Sequence, residues 1–165
     1  MKPLLTGGTG SRSHLETQPE EMPDKFEAGT MNTVGIAGLG AAVEFVASTG
    51  VGNIREHELA LAAAFIEGAQ AIDGVIVYGP GPHDARVPTV SVGLAGRDLA
   101  RVAHQLDADY GVMVRPGLHC SPLAHQTAGT FPDGTLRFSF GYFNTRDEVD
   151  YALNALATVA MSSDE

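Results

Sequence analysis

Apolar positions follow no regular period over residues 1–31, and from Thr33 onward they become regular. The first stretch is polar and punctuated by Gly7, Gly8, Gly10, Pro19 and Pro23. A segment this short and aperiodic cannot build a core, so it reads as an extended arm that needs another surface to lie on. Thr33 can cap a helix running to about Ser48, with Gly35, Gly38 and Gly40 inside it. Glycine costs about 1 kcal/mol in a helix interior, so close backbone approach to a neighbour is the expected compensation. Gly50 and Gly52 break the chain, and Asn53 with Glu56 forms a capping-box pattern for a second helix. Ile54, Leu61, Phe65 and Ile72 recur along that helix, which should end near Asp73 and Gly74.

Residues 75–78 are a short apolar run bounded by Gly74 and Gly79-Pro80, and predict a strand. Gly81-Pro82-His83-Asp84 is a turn region, and residues 87–94 predict the next strand, with Pro88 near its start where a missing donor is tolerated. Residues 97–106 predict an amphipathic helix with Leu99, Val102, Ala103 and Leu106 on one face. Residues 112–115 and 135–141 predict two further strands. Thr145 and Glu148 form a second capping box. The helix behind it buries Val149, Leu153, Leu156 and Ala160, and the tail after Met161 is polar and expected to fray. This order predicts an α+β fold: one layer of helices on a small mixed sheet, preceded by the arm.

Composition narrows the setting. At 165 residues the chain suits one domain with an appended segment and can bury a sizeable core. Its formal net charge of −10 and scattered arginines and lysines repel phosphate backbones, so no nucleic-acid partner is expected. No apolar run approaches the roughly 20 residues of a membrane span, so no membrane partner is expected either. The N-terminus lacks the apolar core of a secretory signal, and one cysteine excludes an internal disulfide. A reducing, cytoplasmic setting is the expectation.

That cysteine, Cys120, lies in Arg115-Pro116-Gly117-Leu118-His119-Cys120-Ser121-Pro122-Leu123-Ala124-His125. The loop from Pro116 to Asp133 is longer than the 12–15 residues at which loops inside compact domains are usually functional or disordered, and residues 123–129 can add a helical turn within it. A thiolate near neutral pH needs positive charge or a base beside it, and Arg115, His119 and His125 can supply both. In the following strand Leu136, Phe138 and Phe140 alternate with Arg137 and Ser139, so Arg137 points away from the helices. Two guanidinium groups near a thiol can hold a substrate carboxylate bidentately and favour the thiolate.

Other readings stand beside this one. A single cysteine can be a small buried apolar residue, and an arginine on a polar strand face can be merely solvated. His119, Cys120 and His125 offer three zinc ligands but no fourth, so no metal site is expected. A Cys-His hydrolase pair lacks an evident Asn or Asp to orient it. His14, His57, His83 and His104 read as ordinary surface or helix residues. The spacing of Gly35, Gly38 and Gly40 is not the dinucleotide fingerprint and follows no predicted strand.

The stretch Arg115–Pro122 resembles the catalytic-cysteine loop of cysteine desulfurases, members of the class V aminotransferase family of pyridoxal-phosphate enzymes. Gly7-Gly8-Thr9-Gly10-Ser11, Phe26-Glu27-Ala28-Gly29-Thr30-Met31-Asn32 and Gly35-Ile36-Ala37-Gly38-Leu39 resemble further family motifs, in family order. So does Leu136-Arg137-Phe138-Ser139-Phe140-Gly141-Tyr142-Phe143-Asn144-Thr145. The resemblance implies the small C-terminal domain of a fold-type-I pyridoxal-phosphate enzyme. Residues 1–32 would be an arm from the end of the large domain, and 33–165 a helix bridge and the small domain. It further implies that Cys120 takes sulfur from L-cysteine as a persulfide, with alanine released. Arg137 would clamp the substrate carboxylate, with Arg115 and His119 in support. Thr30, with Gly29, would reach the cofactor phosphate of the partner subunit.

The family's cofactor lysine follows a His upstream of the Gly-Gly-Thr-Gly-Ser segment. Neither Lys2 nor Lys25 follows a His. The chain therefore reads as the C-terminal part of such an enzyme, inactive without its N-terminal half. No covalently held pyridoxal phosphate is expected on this chain alone. The expected partners are L-cysteine or a related amino acid, the missing half, a homodimer partner and an unidentified sulfur acceptor. A selenocysteine lyase or related class V lyase is a second reading. A non-catalytic binding or sulfur-carrying module is a third.

Overall fold

A computed structural model describes residues 1–162, so the expected fraying of the last residues lies largely outside the described part. Contacts divide the chain into two units, residues 1–49 and the remainder from Gly50.

The first unit carries no helix or strand before Thr33. It is irregular but folds back on itself instead of running fully extended. The Gln18 side chain accepts from the Gly7 amide at 3.1 Å and donates to the Asp24 carbonyl at 2.7 Å. The Gly29 amide donates to the Gly8 carbonyl at 2.6 Å. Helix α1 spans Thr33–Thr49. Its cap is Asn32, one residue before the expected Thr33, whose Oδ1 accepts from the Gly35 amide at 3.0 Å. A Cβ on Gly35 would meet that Asn32 side chain, which would have to shift to make room. Gly38 and Gly40 meet nothing within 4 Å and Gly35 meets the Asn32 side chain of its own cap, so the close backbone approach expected at these glycines is not seen among the described residues. No residue of α1 is buried, and Val34, Ile36, Leu39 and Val43 are exposed.

The second unit opens with α2, Val51–Gln70. Its N-cap is Gly50 at φ 85°, a conformation glycine adopts without steric cost. This starts the helix two residues before Asn53, so the expected Asn53 capping box does not form there. Four strands follow: β1 Val75–Tyr78, β2 Thr89–Leu94, β3 Arg115–Gly117 and β4 Thr135–Ser139. Three more helices interleave: α3 Leu99–Tyr110, α4 Pro122–Ala128 and α5 Arg146–Met161. The architecture is the expected α+β one, but the sheet is not mixed. Its order is β1-β2-β4-β3 and every neighbouring pair is antiparallel. The helical crossover through α3 makes β2 and β3 run the same way, and β4 inserts between them.

Two strand boundaries move for physical reasons. Pairing with β4 occurs at Arg115, Pro116 and Gly117, not at 112–115, and Pro116 is tolerated because β3 is an edge strand. Val112 and Val114 instead pack against the core from just before the strand. Strand β2 begins at Thr89 because Arg86 closes the preceding loop, donating to the carbonyls of Pro80 and Thr89 at 2.5 and 2.8 Å. Burial there lowers the pKa of that guanidinium. Helix α3 starts at Leu99, with Asp98 accepting from the Ala100 amide at 2.8 Å. Arg97 is thereby free to donate to the Val159 and Ser162 carbonyls at the end of α5, at 2.9 and 2.6 Å.

The core lies between the sheet and α2, α3 and α5. Phe65, Ile66, Val90, Val92, Leu106, Leu136 and Leu156 are fully buried, and the Phe65 and Phe138 rings sit 4.4 Å apart. All four apolar residues predicted for α3 are buried. In α5, Val149 and Leu156 are buried, Leu153 and Ala160 are partly so, and the Thr145–Glu148 capping box is present. No single described helix is long and apolar enough to cross a membrane.

Candidate active site on the outer face of the sheet

Alternation along β4 turns Leu136 and Phe138 into the core and leaves Arg137 on the opposite face. Register then assembles a row that no single strand predicts. Tyr78 pairs with Ser91, Ser91 with Arg137, and Arg137 with Arg115. Directly paired residues share one face, with Cβ atoms about 4.5–5.5 Å apart. Arg115 and Arg137 are thus adjacent, and like charges placed opposite each other are unfavourable. Neither is in an ion pair among the described residues. The Nε of Arg137 is buried and has no hydrogen-bond partner, and neither has the Oγ1 of Thr135. A buried donor without a partner costs about 1–3 kcal/mol, and a bound anion would remove that cost at Arg137.

Cys120 completes the row's edge. It is exposed, and its Sγ accepts from Arg115 Nη2 at 3.7 Å. His119 and Cys120 hold φ values of 52° and 60°, consecutive left-handed residues that are not glycine. Each costs about 1–2 kcal/mol and persists only where neighbours hold it. His119 Nε2 donates to the Arg115 carbonyl at 2.9 Å, tying the turn back to β3. The Ser121 amide closes the turn on the Leu118 carbonyl at 2.9 Å, and Pro122 begins α4.

The loop is also clamped at its base. Gly117 and Gly134 take φ values of 97° and 80°. A Cβ on Gly134 would lie 2.7 Å from the Gly117 Cα and nearer still to its carbonyl, so the two backbones cross in direct contact. Inside the loop, His125 is buried in the last turn of α4, with Nδ1 2.7 Å from Thr130 Oγ1.

Of the residues singled out from sequence, the fold brings Arg115, His119, Cys120 and Arg137 together. Thr30 and Gly29 lie in the first unit, on a cavity of about 300 Å³ that Thr9, Ser11 and Asp24 also line. Tyr78, Ser91, Thr130 and Gly134 were not singled out as site residues; His125 was, as a neighbour of Cys120, and it is buried against Thr130. Alternation in β2 places Ser91 outward, but only register places it beside Arg137. His57 does more than occupy a helix surface: its Nε2 donates to the Asn144 carbonyl at 3.0 Å and its ring meets Tyr142, pinning the turn after β4. Among the described residues no group of three His, Cys, Asp or Glu side chains is placed to hold a metal. A further cavity of about 440 Å³, lined by Val112, Phe138, Ser139, Phe140 and Glu148 among others, includes neither Cys120 nor either arginine of the row.

Known proteins are similar to this chain in sequence and fold. A probable cysteine desulfurase of Mycobacterium leprae is 38% identical over 156 residues, covering 91% of this chain and 36% of the relative. One from Halobacterium salinarum is 38% identical over 162 residues, covering 94% and 37%. A cysteine desulfurase structure from Thermococcus onnurineus superposes with a TM-score of 0.77 at 32% identity, and the S-sulfonic acid form of an Escherichia coli cysteine desulfurase with 0.75 at 27%. Each superposition covers 96% of this chain and 39% of the other. The chain therefore spans well under half the length of these relatives. The class-V aminotransferase pattern itself runs through residues 1–152, from the arm through the Cys120 loop into α5, and the chain belongs to that family.

Proposed function

We propose that this chain is the C-terminal part of a pyridoxal-phosphate-dependent cysteine desulfurase, in which Cys120 takes the sulfur of L-cysteine and alanine leaves. The observation that carries this reading is the row itself: Cys120 Sγ beside Arg115, and Arg115 in register with an Arg137 whose buried Nε lacks a partner. Arg137 binds the substrate carboxylate, satisfying that donor with the bidentate geometry guanidinium favours. Arg115 orients the sulfur, and His119 holds the turn that carries it. Cys120 then attacks the substrate sulfur: an S–S bond forms on Cys120 as the substrate's C–S bond breaks.

The chain's own residues fit the cofactor phosphate only in part. Thr9, Ser11 and Thr30 bring hydroxyls to one cavity with Gly10 and Gly29, but Asp24 and Glu27 line it as well and Ser11 donates to Asp24, so a phosphate is not favoured inside it. Thr30 with Gly29 would instead reach the phosphate held by a partner subunit. The covalent anchor is not matched here, since neither Lys2 nor Lys25 follows a His as the family's cofactor lysine does. Pyridoxal phosphate, when bound, supplies the electron sink for cleaving the C–S bond. The test is the complete enzyme, with the N-terminal portion supplied, given L-cysteine and analysed by mass spectrometry. A gain of one sulfur on Cys120 is expected, lost in Cys120→Ser. Arg137→Gln should raise KM for L-cysteine at least tenfold, the scale of a lost charge-assisted hydrogen bond. Alanine release without sulfur on Cys120 would leave the thiol a structural role.

A further inference from the structure

We propose that His125 is a positioning residue for Cys120, bracing the turn that presents the sulfur to Arg115. The turn is strained at two successive residues, His119 and Cys120, and so relaxes unless its surroundings hold it. The His119 ring is held on one side by its bond to the Arg115 carbonyl. On the other it meets the His125 ring, with centroids 5.6 Å apart and planes inclined by 43°.

His125 is itself rigidly placed. Only 8% of it is exposed, and its Nδ1 lies 2.7 Å from the Oγ1 of Thr130, which is 6% exposed. The Thr130 amide donates back to the His125 carbonyl at 2.9 Å, and the Thr130 carbonyl accepts from the Gly134 amide at 2.7 Å. Gly134 in turn packs its backbone on Gly117, the last residue of β3. A continuous path of contacts therefore runs from the sheet through Gly134, Thr130 and His125 to His119. It ends at the residue whose neighbour carries the sulfur.

The purpose of this brace rests on the desulfurase reading, but its test requires neither cofactor nor substrate. Cys120 is the chain's single cysteine, so alkylation reports on it alone. The rate with anionic iodoacetate divided by the rate with neutral iodoacetamide reads whether Sγ sits beside the Arg115 cation. Wild type should exceed Arg115→Gln in this ratio about fivefold, the size of a unit-charge attraction at about 4 Å in water. His125→Ala should lower the ratio to the Arg115→Gln level. Because that change can also loosen α4, Thr130→Val is the second variant: it leaves α4 intact, removes the Nδ1 partner and should lower the ratio in the same direction. Circular dichroism confirms that each variant is folded. A wild-type ratio in both folded variants overturns the proposal, as does a wild-type ratio no higher than that of Arg115→Gln. A lowered ratio in a chain whose complete enzyme forms no persulfide leaves the brace standing and overturns the desulfurase reading. Persulfide formation with an unchanged ratio does the reverse.

Discussion

Replacing Gly134 with alanine should destabilise the second unit through the base of the Cys120 loop. Two costs combine at this position. Its φ of 80° is left-handed, which costs a residue with a Cβ about 1–2 kcal/mol. The new Cβ would also lie 2.7 Å from the Gly117 Cα, against backbone that cannot rotate away, and overpacking of this kind costs typically 1–3 kcal/mol. Together these predict a loss of roughly 2–5 kcal/mol, a large share of the 5–15 kcal/mol that holds an ordinary domain. Gly74→Ala is the internal control: its φ is 82° but nothing lies within 4 Å, so it should lose only the first cost. Urea denaturation followed by circular dichroism measures both. With a slope of about 2 kcal/mol per molar, within the usual range, the Gly134 variant should unfold at a midpoint roughly 1–2.5 M lower than wild type. Amide exchange at Thr130 should also accelerate, since its bond to the His125 carbonyl depends on the clamped loop. Equal losses in the two variants would refute the close approach and leave only backbone strain.

Arg97→Ala should cost about 1.5–3 kcal/mol, because it strips the carbonyls of Val159 and Ser162 of a charged donor; a thermal melt unchanged by the substitution would remove Arg97 from the stability of α5. Hydrogen bonds from the Thr145 amide and the Asn144 side chain hold the Glu148 carboxyl below its ordinary value of 4.5. A depressed carboxylate contributes stability above its ordinary value and loses that contribution as pH falls through the folded one. The stability difference between wild type and Glu148→Gln should therefore be constant near neutral pH and shrink as pH falls below 4.5, and parallel pH profiles would contradict it.

Short-range features were legible in the amino-acid sequence. The α3 stripe of Leu99, Val102, Ala103 and Leu106, the Thr145–Glu148 box and the alternation of β4 all depend on residues within a few positions of one another. The Cys120 loop was visible for the same reason, as a run between two strands bearing its own arginine and histidines. Caps were less secure. Asn32 and Gly50 begin their helices, ahead of the plausible candidates Thr33 and Asn53, because backbone geometry chooses among neighbours that composition makes nearly equivalent.

Tertiary structure decided what the sequence left open. Whether β3 paired at 112–115 or at Arg115–Gly117 depended on its partner strand, which lies beyond an intervening loop. That register placed Arg137 between Arg115 on one side and Ser91 on the other, in a sheet whose neighbouring strands are all antiparallel. The sequence by itself determined which residues could face outward and that a thiol would sit among cations. Only the folded sheet set Arg115 and Arg137 directly opposite each other and determined what the turn carrying the thiol packs against. Strand pairing and loop closure join residues far apart in the chain, and their geometry follows from packing that no local period records.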